Sequence, residues 1–269
     1  MTKLLIIILI ALTFFGCKDK ISGFDSGNNL NKYPANLNYQ WEYSSVMSTE
    51  YLNTYGGVDS TQTLNLPNTI VKISSINDSV PGYKNLINFE YYNIDTPEEI
   101  SEDWYSNSDS AFSAIAYRNP GASYPVIPKN PVKKYLTVEE FKRIAKNLTF
   151  NNFINDDSIQ YYDFPRVVLK YPLHVGLKWN ELKTPFYRDR IVKGTTTLTI
   201  NGKYYDCYII EADVQQFKLK MVDYVSLQAG LLKREIISDS LALVSSDSPD
   251  SAIGYVSGHD VSILVNKNF

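Results

Sequence analysis

Apolar and polar residues alternate along most of this chain, and the alternating stretches end at residues that favour turns. Residues 190–200 (RIVKGTTTLTI) are rich in β-branched side chains, with Val192 and Ile200 among the apolar residues of one face. Asn201 and Gly202 follow, a dipeptide that suits a type I′ hairpin turn because both of its central residues need a positive φ. The sequence therefore predicts a β-hairpin whose turn is Asn201-Gly202.

The same β character extends over most of the chain. Residues 217–221 alternate cleanly between apolar and polar, and strand-like runs recur at 242–244 and 256–265. Tyrosine, which favours strands, is present 21 times. We therefore expect a mainly β fold, either a curved antiparallel sheet or an open or half barrel.

One segment departs from this pattern. In residues 137–148 (TVEEFKRIAKNL) the apolar side chains recur at helical spacing, and Thr137 and Glu140 form a capping box at the start. The sequence predicts one short helix here. We interpret residues 119–165, which contain this helix, as a linker or as a lid over one end of the sheet.

Two parts of the chain carry the same motif. YPANLNYQW at 33–41 and YPLHVGLKW at 171–179 both place Trp at the same distance after Tyr-Pro. Further similarities follow in the same order: IVK at 70–72 and 191–193, then DWYS at 103–106 and DYVS at 223–226. Ordered matches of this kind indicate an internal duplication. We expect two β units, at 33–118 and 166–269, that share one globular domain.

The repeated motif is either a duplicated binding site or a duplicated piece of scaffold. Proline cannot donate a hydrogen bond within a sheet, so Pro172 is expected before a strand or at an edge. Gly176 permits a sharp turn before Trp179, which is expected to enter the sheet as a core anchor. We favour the scaffold interpretation. Its expected anchors are Tyr33, Pro34, Trp41, Tyr171, Pro172, Gly176 and Trp179.

The first residues of the chain are typical of a secretory signal. Lys3 precedes an unbroken apolar run at 4–15, which is too short to cross roughly 30 Å of hydrocarbon as a helix. The run ends in Phe-Phe-Gly16-Cys17, and here the chain resembles a bacterial lipoprotein precursor. The resemblance implies removal of residues 1–16 by cleavage after Gly16. It also implies a diacylglyceryl group and an amide-linked acyl chain on Cys17.

An ordinary signal peptide with an incidental Cys17 is the alternative, but no A-x-A-like cleavage site follows the apolar run. Residues 17–32 then comprise the lipidated cysteine and a polar, flexible tether that reaches at most about 50 Å. Lys18 stands where enterobacterial lipoproteins carry an inner-membrane retention signal, usually Asp. The resemblance therefore implies the envelope of a Gram-negative bacterium, with anchoring at the outer membrane.

Charge and cysteine content narrow the classes of partner. The full chain has a net charge of −3, which becomes −4 once Lys3 is removed with the signal. Because no basic block of five or more residues occurs, nucleic acid is not expected as a partner. Cys207 is the one thiol left after lipidation of Cys17, so no intramolecular disulfide is expected. We interpret Cys207 as a small buried hydrophobe.

Catalytic signatures are absent from the sequence. It contains two histidines, His174 and His259, and no G-x-S-x-G, H-E-x-x-H, P-loop or G-x-G-x-x-G motif. Neither histidine has cysteine or carboxylate residues at the spacing of a zinc site. The adjacent carboxylates at 98–99 are interpreted as solvated loop charge. We expect no enzyme activity, no cofactor and no metal.

A second resemblance covers residues 165–237. It consists of YPL-x-x-G-x-x-W at 171–179, a hairpin with Gly202 before an aromatic-Cys strand, and an aromatic residue followed by GLLKRE at 224–235. These features resemble uncharacterised envelope lipoproteins, which are compared with the open half-barrel fold of periplasmic lipoprotein carriers. The resemblance implies a concave apolar face that holds acyl chains.

Two functional hypotheses remain. The first is non-catalytic binding of an apolar or amphipathic, lipid-like ligand on the curved sheet. The second is a structural or accessory subunit that docks on other envelope proteins, or on glycans through the aromatic residues at 90–93 and 103–106. A core filled by side chains counts against the first hypothesis, and a concave apolar cavity counts against the second.

Overall fold

A computed structural model describes residues 31–118, 136–137, 158–183, 187–214, 219–245 and 248–269. Asn31–Phe269 form one unit. In these ranges the regular structure consists of strands, and no helix is long and apolar enough to cross a membrane.

The strands of the described residues are, in chain order, β1 (Gln40–Leu52), β2 (Val58–Val80), β3 (Tyr83–Asn93), β4 (Thr96–Asn107), β5 (Ala111–Arg118), β6 (Leu136–Thr137), β7 (Gln160–Lys170), β8 (Lys178–Leu182), β9 (Arg188–Ile200), β10 (Lys203–Val214), β11 (Leu219–Ser226), β12 (Gly230–Ser245) and β13 (Ser248–Lys267). All except β6 lie in one antiparallel sheet with the order β7-β5-β4-β3-β2-β1-β13-β12-β11-β10-β9-β8. The short β6 pairs in parallel with β12, off this path. The prediction of a mainly β, curved antiparallel sheet is confirmed.

The sheet curls until its two edge strands, β7 and β8, come together. Trp179 of β8 donates its Nε1–H to the Val167 carbonyl of β7 at 2.8 Å. Beside it, Arg166 Nε lies 3.6 Å from Glu181 Oε1. The result is a nearly closed, barrel-like sheet. Its seam is bridged by these side-chain contacts, since the path of paired strands ends at β7 and at β8.

Because neighbouring strands are antiparallel, the turns lie alternately at two ends of the sheet. We call the end of the sheet at which the chain enters β1 the proximal end, and the opposite end the distal end. The proximal end also holds the turns β2–β3, β4–β5, β7–β8, β9–β10 and β11–β12. The distal end holds the turns β1–β2, β3–β4 and β8–β9.

Asn201 and Gly202 form the turn between β9 and β10. Their φ angles are 49° and 75°, and the flanking residues Ile200 and Lys203 pair with each other. Positive φ at both central positions is the geometry of a type I′ turn. The corresponding β2–β3 turn contains Gly82, whose φ is 87°.

The two halves of the sheet follow the same path. The repeated sequence blocks fall on β1–β4 in the first half and on β8–β11 in the second. Phe89 pairs with Asp103, and the equivalent Ile210 pairs with Asp223, so the β3–β4 and β10–β11 registers agree. The preceding hairpins differ in register by two residues. The duplication stays an inference from the sequence.

The segment interpreted as a linker or lid lies mostly outside the described residues. This includes 138–148, the body of the predicted helix. Thr137, its expected capping residue, pairs with Val244 as part of β6. The boundary placed at 165/166 falls inside β7, which pairs with β5 of the first half.

Candidate functional site

The two Tyr-Pro motifs meet and close the proximal end of the barrel. Tyr33 donates its backbone N–H to Tyr171 Oη at 2.7 Å, and that hydroxyl donates to Asn107 Oδ1 at 3.1 Å. Asn107 Nδ2 in turn donates to the Tyr33 carbonyl at 3.0 Å. The Tyr33 ring stacks on Phe112 with centroids 4.8 Å apart. The segment before β1 is therefore tied across the interior as a cover.

The two tryptophans of the motif are core anchors. Trp41 and Trp179 are buried, and each donates Nε1–H to a backbone carbonyl, Ala229 at 2.7 Å and Val167 at 2.8 Å. Each indole thus satisfies its single polar group inside the core. This geometry is that of scaffold, with no indole face open to a ligand.

The remaining motif residues shape the loops at the proximal end. Pro34 is half-buried and Pro172 is exposed, both outside the strands. Gly176 has a φ of 87° and donates its N–H to the Val192 carbonyl at 2.8 Å, which turns the chain into β8.

The rings of five residues pack against one another and form what we call the aromatic layer: Tyr33, Trp41, Phe89, Tyr105 and Phe112. Next to this aromatic layer lies a layer of charged side chains, most of them buried. On each of β8, β9, β11 and β12, an apolar core residue has a charged residue two positions away on the same face of the strand. In every case the charged residue is the one farther from the proximal end. The four pairs are Trp179 and Glu181, Val192 and Arg190, Val225 and Asp223, and Leu232 and Arg234. The β7 residue Arg166 and the β9 residue Arg188 complete this ion cluster.

The ion cluster is held by short contacts between oppositely charged groups. Glu181 accepts from Arg190 Nε at 2.5 Å and from Arg188 Nη2 at 2.9 Å. Asp223 accepts from Arg190 Nη1 at 2.8 Å, and from Arg234 through Nε at 2.7 Å and Nη2 at 2.9 Å. Arg190 therefore joins the two carboxylates.

The electrostatics keep both carboxylates ionised. Burial raises the pKa of Glu181, but the guanidiniums of Arg188, Arg190 and Arg166 outweigh it and hold that pKa at about 2. The pKa of Asp223 is likewise far below its usual value, since Arg234 and Arg190 outweigh its burial. Buried ions of this kind are strongly destabilised when one partner is removed.

A third buried carboxyl, Asp103, lies among tyrosines beside the ion cluster. Tyr105 donates its hydroxyl to Asp103 Oδ2 at 2.9 Å, and the Tyr91 and Tyr105 hydroxyls are 3.2 Å apart. Burial raises the pKa of Asp103, although Arg166 acts in the opposite direction. The Arg166 guanidinium also lies over the Tyr162 ring, 5.1 Å from its centroid.

Sequence reasoning missed this ion cluster. The signal was present in β9, where Arg188 and Arg190 stand on the face that carries Val192 and the core. An arginine at a core-facing position needs a buried carboxylate. The partners Glu181 and Asp223 come from other strands, so sequence spacing could not identify them.

The candidate reactive residues do not assemble with one another. Burial raises the pKa of Cys207 to about 11, and its Sγ lies 3.4 Å from the Thr196 carbonyl. His174 is exposed, with Nδ1 3.2 Å from the Pro172 carbonyl. His259 Nε2 lies 3.6 Å from Glu235 Oε2. Gly16 and Cys17 lie outside the described residues.

The aromatic residues expected to stack on a glycan are mostly core residues. Trp104 and Tyr105 are buried, and the Tyr105 ring stacks on Phe112 at 4.5 Å. Trp104 donates its Nε1–H to Asp78 at 2.7 Å. Hence these two rings offer no free face to a glycan.

The distal end instead carries exposed apolar side chains. Tyr55 in the β1–β2 turn is 97% exposed, Phe164 on β7 is 62% exposed, and Tyr187 before β9 is 58% exposed. Val58, Ile94, Tyr161 and Ile253 are further exposed apolar residues among those described at this end. We call these seven residues the distal apolar rim. Acidic side chains lie between them, among them Asp95, Asp163 and Asp189.

The chain matches no protein-family model and no curated protein sequence. Among solved structures it is similar to one from Bacteroides fragilis, described as a proposed exported protein with a YmcC-like fold. The two share 8% sequence identity at a TM-score of 0.36, over 88% of this chain and 99% of that one. So remote a likeness carries no argument about this chain.

Proposed function

We propose that this protein is a non-catalytic, lipid-anchored envelope protein that docks on another envelope protein through its distal end. The observation that carries the proposal is the occupied interior of the barrel. Buried side chains of the aromatic layer and the ion cluster occupy the interior, where a carrier of apolar ligands would hold its cargo.

The ion cluster weighs against the alternative of an acyl-chain carrier. An acyl chain beside Glu181 or Arg190 makes no hydrogen bonds, and it separates charges that already lack water. An acyl chain has no better path into the interior from the proximal end. The Tyr33 segment covers that end through hydrogen bonds to Tyr171 and Asn107. The described interior thus supports a rigid scaffold.

The distal apolar rim is the surface best suited to docking. Large apolar side chains exposed together at one end of a protein mark interaction sites more often than single exposed residues do. Tyrosine and phenylalanine are also among the residue types enriched at protein interfaces. The acidic side chains around Tyr187 favour a partner whose contact surface is apolar and basic.

The anchor in this proposal is Cys17, with the outer membrane of a Gram-negative bacterium as its location. Both follow from the lipoprotein-like Phe-Phe-Gly16-Cys17 sequence and from Lys18 after the cysteine. More than one acyl chain is needed for stable anchoring, because each buried methylene contributes about 0.8 kcal/mol.

Native mass spectrometry distinguishes the docking proposal from the hypothesis that the barrel carries a lipid-like ligand. Residues 18–269, which include the whole described unit, are purified from their own envelope under gentle conditions. The proposal expects the mass of the chain alone. Extra mass that matches a lipid and disappears on organic extraction contradicts it and restores the carrier hypothesis.

A further inference from the structure

Lysines collect at the proximal end of the barrel. Lys84 follows the β2–β3 turn and Lys203 the β9–β10 turn, while Lys170 and Lys178 flank the β7–β8 loop. All four are exposed. Lys32 and Lys267 lie at the same end, where the chain enters β1 and where β13 finishes.

Three acidic groups of the described residues lie near the proximal turns. Asp109 pairs with Lys32 at 2.5 Å. Asp78 accepts hydrogen bonds from Trp104 at 2.7 Å and from Asn88 at 3.3 Å. Asp206 accepts from Thr197 at 2.7 Å. Hydrogen bonds from neutral groups leave the charges of Asp78 and Asp206 in place, but the six lysines outnumber these three carboxylates and leave this end with an excess of positive charge.

The distal end has the opposite character in the part of the chain that the structure describes. Its exposed acidic residues are Glu50, Asp59, Asp95, Glu98, Glu99, Asp163, Asp189 and Asp213. The lysines there are Lys183 and Lys220. Among the described residues, lysines are therefore more numerous at the proximal end and exposed carboxylates at the distal end.

Exposed apolar side chains lie among the lysines of the proximal end. Tyr204 is 78% exposed and directly follows Lys203, and Val175 is 57% exposed between Lys170 and Lys178. Leu37 and Tyr83 are also exposed at this end. Lysines beside aromatic and aliphatic tips are typical of surfaces that rest in the headgroup region of a bilayer.

The segment that follows the proposed anchor joins the barrel at this end. Tyr33 is fixed at the proximal end, and the segment from Cys17 to Asn31 spans at most about 50 Å when extended. We propose that the proximal end rests on the membrane surface and binds anionic phospholipid headgroups through Lys84, Lys178 and Lys203. This inference rests on the proposed anchoring and adds an orientation, with the distal apolar rim pointing away from the bilayer.

The test uses residues 18–269, so that no acyl chain contributes to binding. Sedimentation with vesicles measures the partition coefficient, using 70% phosphatidylcholine with 30% phosphatidylglycerol, or phosphatidylcholine alone. The test variant carries Lys84→Gln, Lys178→Gln and Lys203→Gln. The control variant carries Lys183→Gln, Lys193→Gln and Lys220→Gln, which change the net charge equally but lie away from the proximal end.

We expect the unmodified protein to bind the anionic vesicles but not the neutral ones, and to bind more weakly at high salt. Each lysine near an anionic surface strengthens partition about fivefold, so the test variant should lose about 100-fold and the control variant less than about twofold. Three outcomes overturn the inference: no binding to anionic vesicles at low salt, equal binding to neutral vesicles, or equal loss in both variants.

Failure of this inference is distinguishable from failure of the proposed function. The vesicle experiment contains neither lipidated Cys17 nor a protein partner, so it reports on the proximal end alone. The anchor is tested separately by Cys17→Ser, which should release the protein from membranes without unfolding it. A Cys17→Ser protein that stays in the membrane fraction after a high-salt wash contradicts the anchor.

Discussion

Gly230 is the position at which the packing of the proximal end is tested most sharply. It starts β12 with a φ of 85°. A Cβ at this position lies 2.9 Å from Trp41 Nε1, 2.9 Å from Tyr33 Oη and 3.2 Å from Trp41 Cε2. Trp41 is fully buried and hydrogen-bonded to Ala229, and Tyr33 Oη accepts from the Leu231 N–H at 3.3 Å. Neither ring is free to move aside.

The magnitude for Gly230→Ala follows from two terms. A left-handed backbone costs a non-glycine residue about 1–2 kcal/mol, and overpacking of a well-packed core costs about 1–3 kcal/mol. We therefore expect the free energy of unfolding to fall by about 2–5 kcal/mol. Gly202→Ala is the matched control, because Gly202 also has a positive φ, 75°, but nothing lies within 4 Å of its added Cβ.

The assay is urea unfolding of residues 18–269, followed by tryptophan fluorescence. Both substitutions remove the same freedom from the unfolded chain, so their difference isolates the contact with Trp41 and Tyr33. The control should lose about 1–2 kcal/mol, the backbone term alone. Equal losses in the two variants refute the argument that the Tyr-Pro-Trp motif packs against Gly230.

Three further predictions concern buried ionisable groups. Glu181→Gln should lower the free energy of unfolding by about 3–5 kcal/mol in urea unfolding at pH 7, because it leaves buried guanidiniums without their carboxylate. In the unmodified protein the pKa of Glu181 is about 2 when folded and 4.5 as its ordinary value, so its contribution of about 3 kcal/mol is complete above pH 4.5 and disappears as the pH falls towards 2. Burial raises the pKa of Asp260 to about 6, and its buried Oδ1 has no hydrogen-bond partner in the described ranges. Asp260→Asn should therefore stabilise the protein by about 1–3 kcal/mol at pH 7, and thermal melts should show that it removes the gain in stability between pH 6 and pH 4. Cys207, with a pKa raised to about 11 by burial, should resist iodoacetamide at pH 8 in the folded protein and react once the protein is unfolded in urea.

Each of these predictions has a control and a contrary outcome. Glu98→Gln, at an exposed position, should change the free energy of unfolding by less than about 0.5 kcal/mol. If Glu181→Gln has an effect as small as this, the ion cluster does not stabilise the fold. An Asp260→Asn protein that is less stable at pH 7 shows that the carboxylate has a partner. Alkylation of folded Cys207 at the rate of a free thiol shows that its site is open.

Local chemistry in the sequence is enough to predict much of the fold. The Asn201-Gly202 turn needs positive φ at both positions, a demand that can be recognised without any partner strand. Alternation of apolar and polar residues likewise predicts the strands. The repeat indicates that β1–β4 and β8–β11 take the same path, since each block of matching residues falls on one strand.

Other features depend on contacts that no local pattern contains. Glu181 and Asp223 are 42 positions apart in the chain, and Arg190 joins them because β9 lies beside β8 and one strand away from β11 in the sheet. The meeting of Tyr33 with Tyr171 requires the first and second halves of the sheet to close on each other. The charged residues at core-facing positions, such as Arg188 and Arg190, are likewise not indicated by the resemblance, which implies a concave apolar face.

Site-specific cross-linking in intact cells tests the docking proposal most directly. A photoreactive phenylalanine analogue replaces Tyr55 or Tyr187 in the distal apolar rim of the full chain, and Tyr204 at the proximal end in a matched control. All three side chains are more than half exposed, so access alone does not distinguish them. The proposal predicts a protein adduct of discrete mass from the distal positions and none from Tyr204. Adducts from Tyr204 alone, or from no position, contradict docking through the distal end.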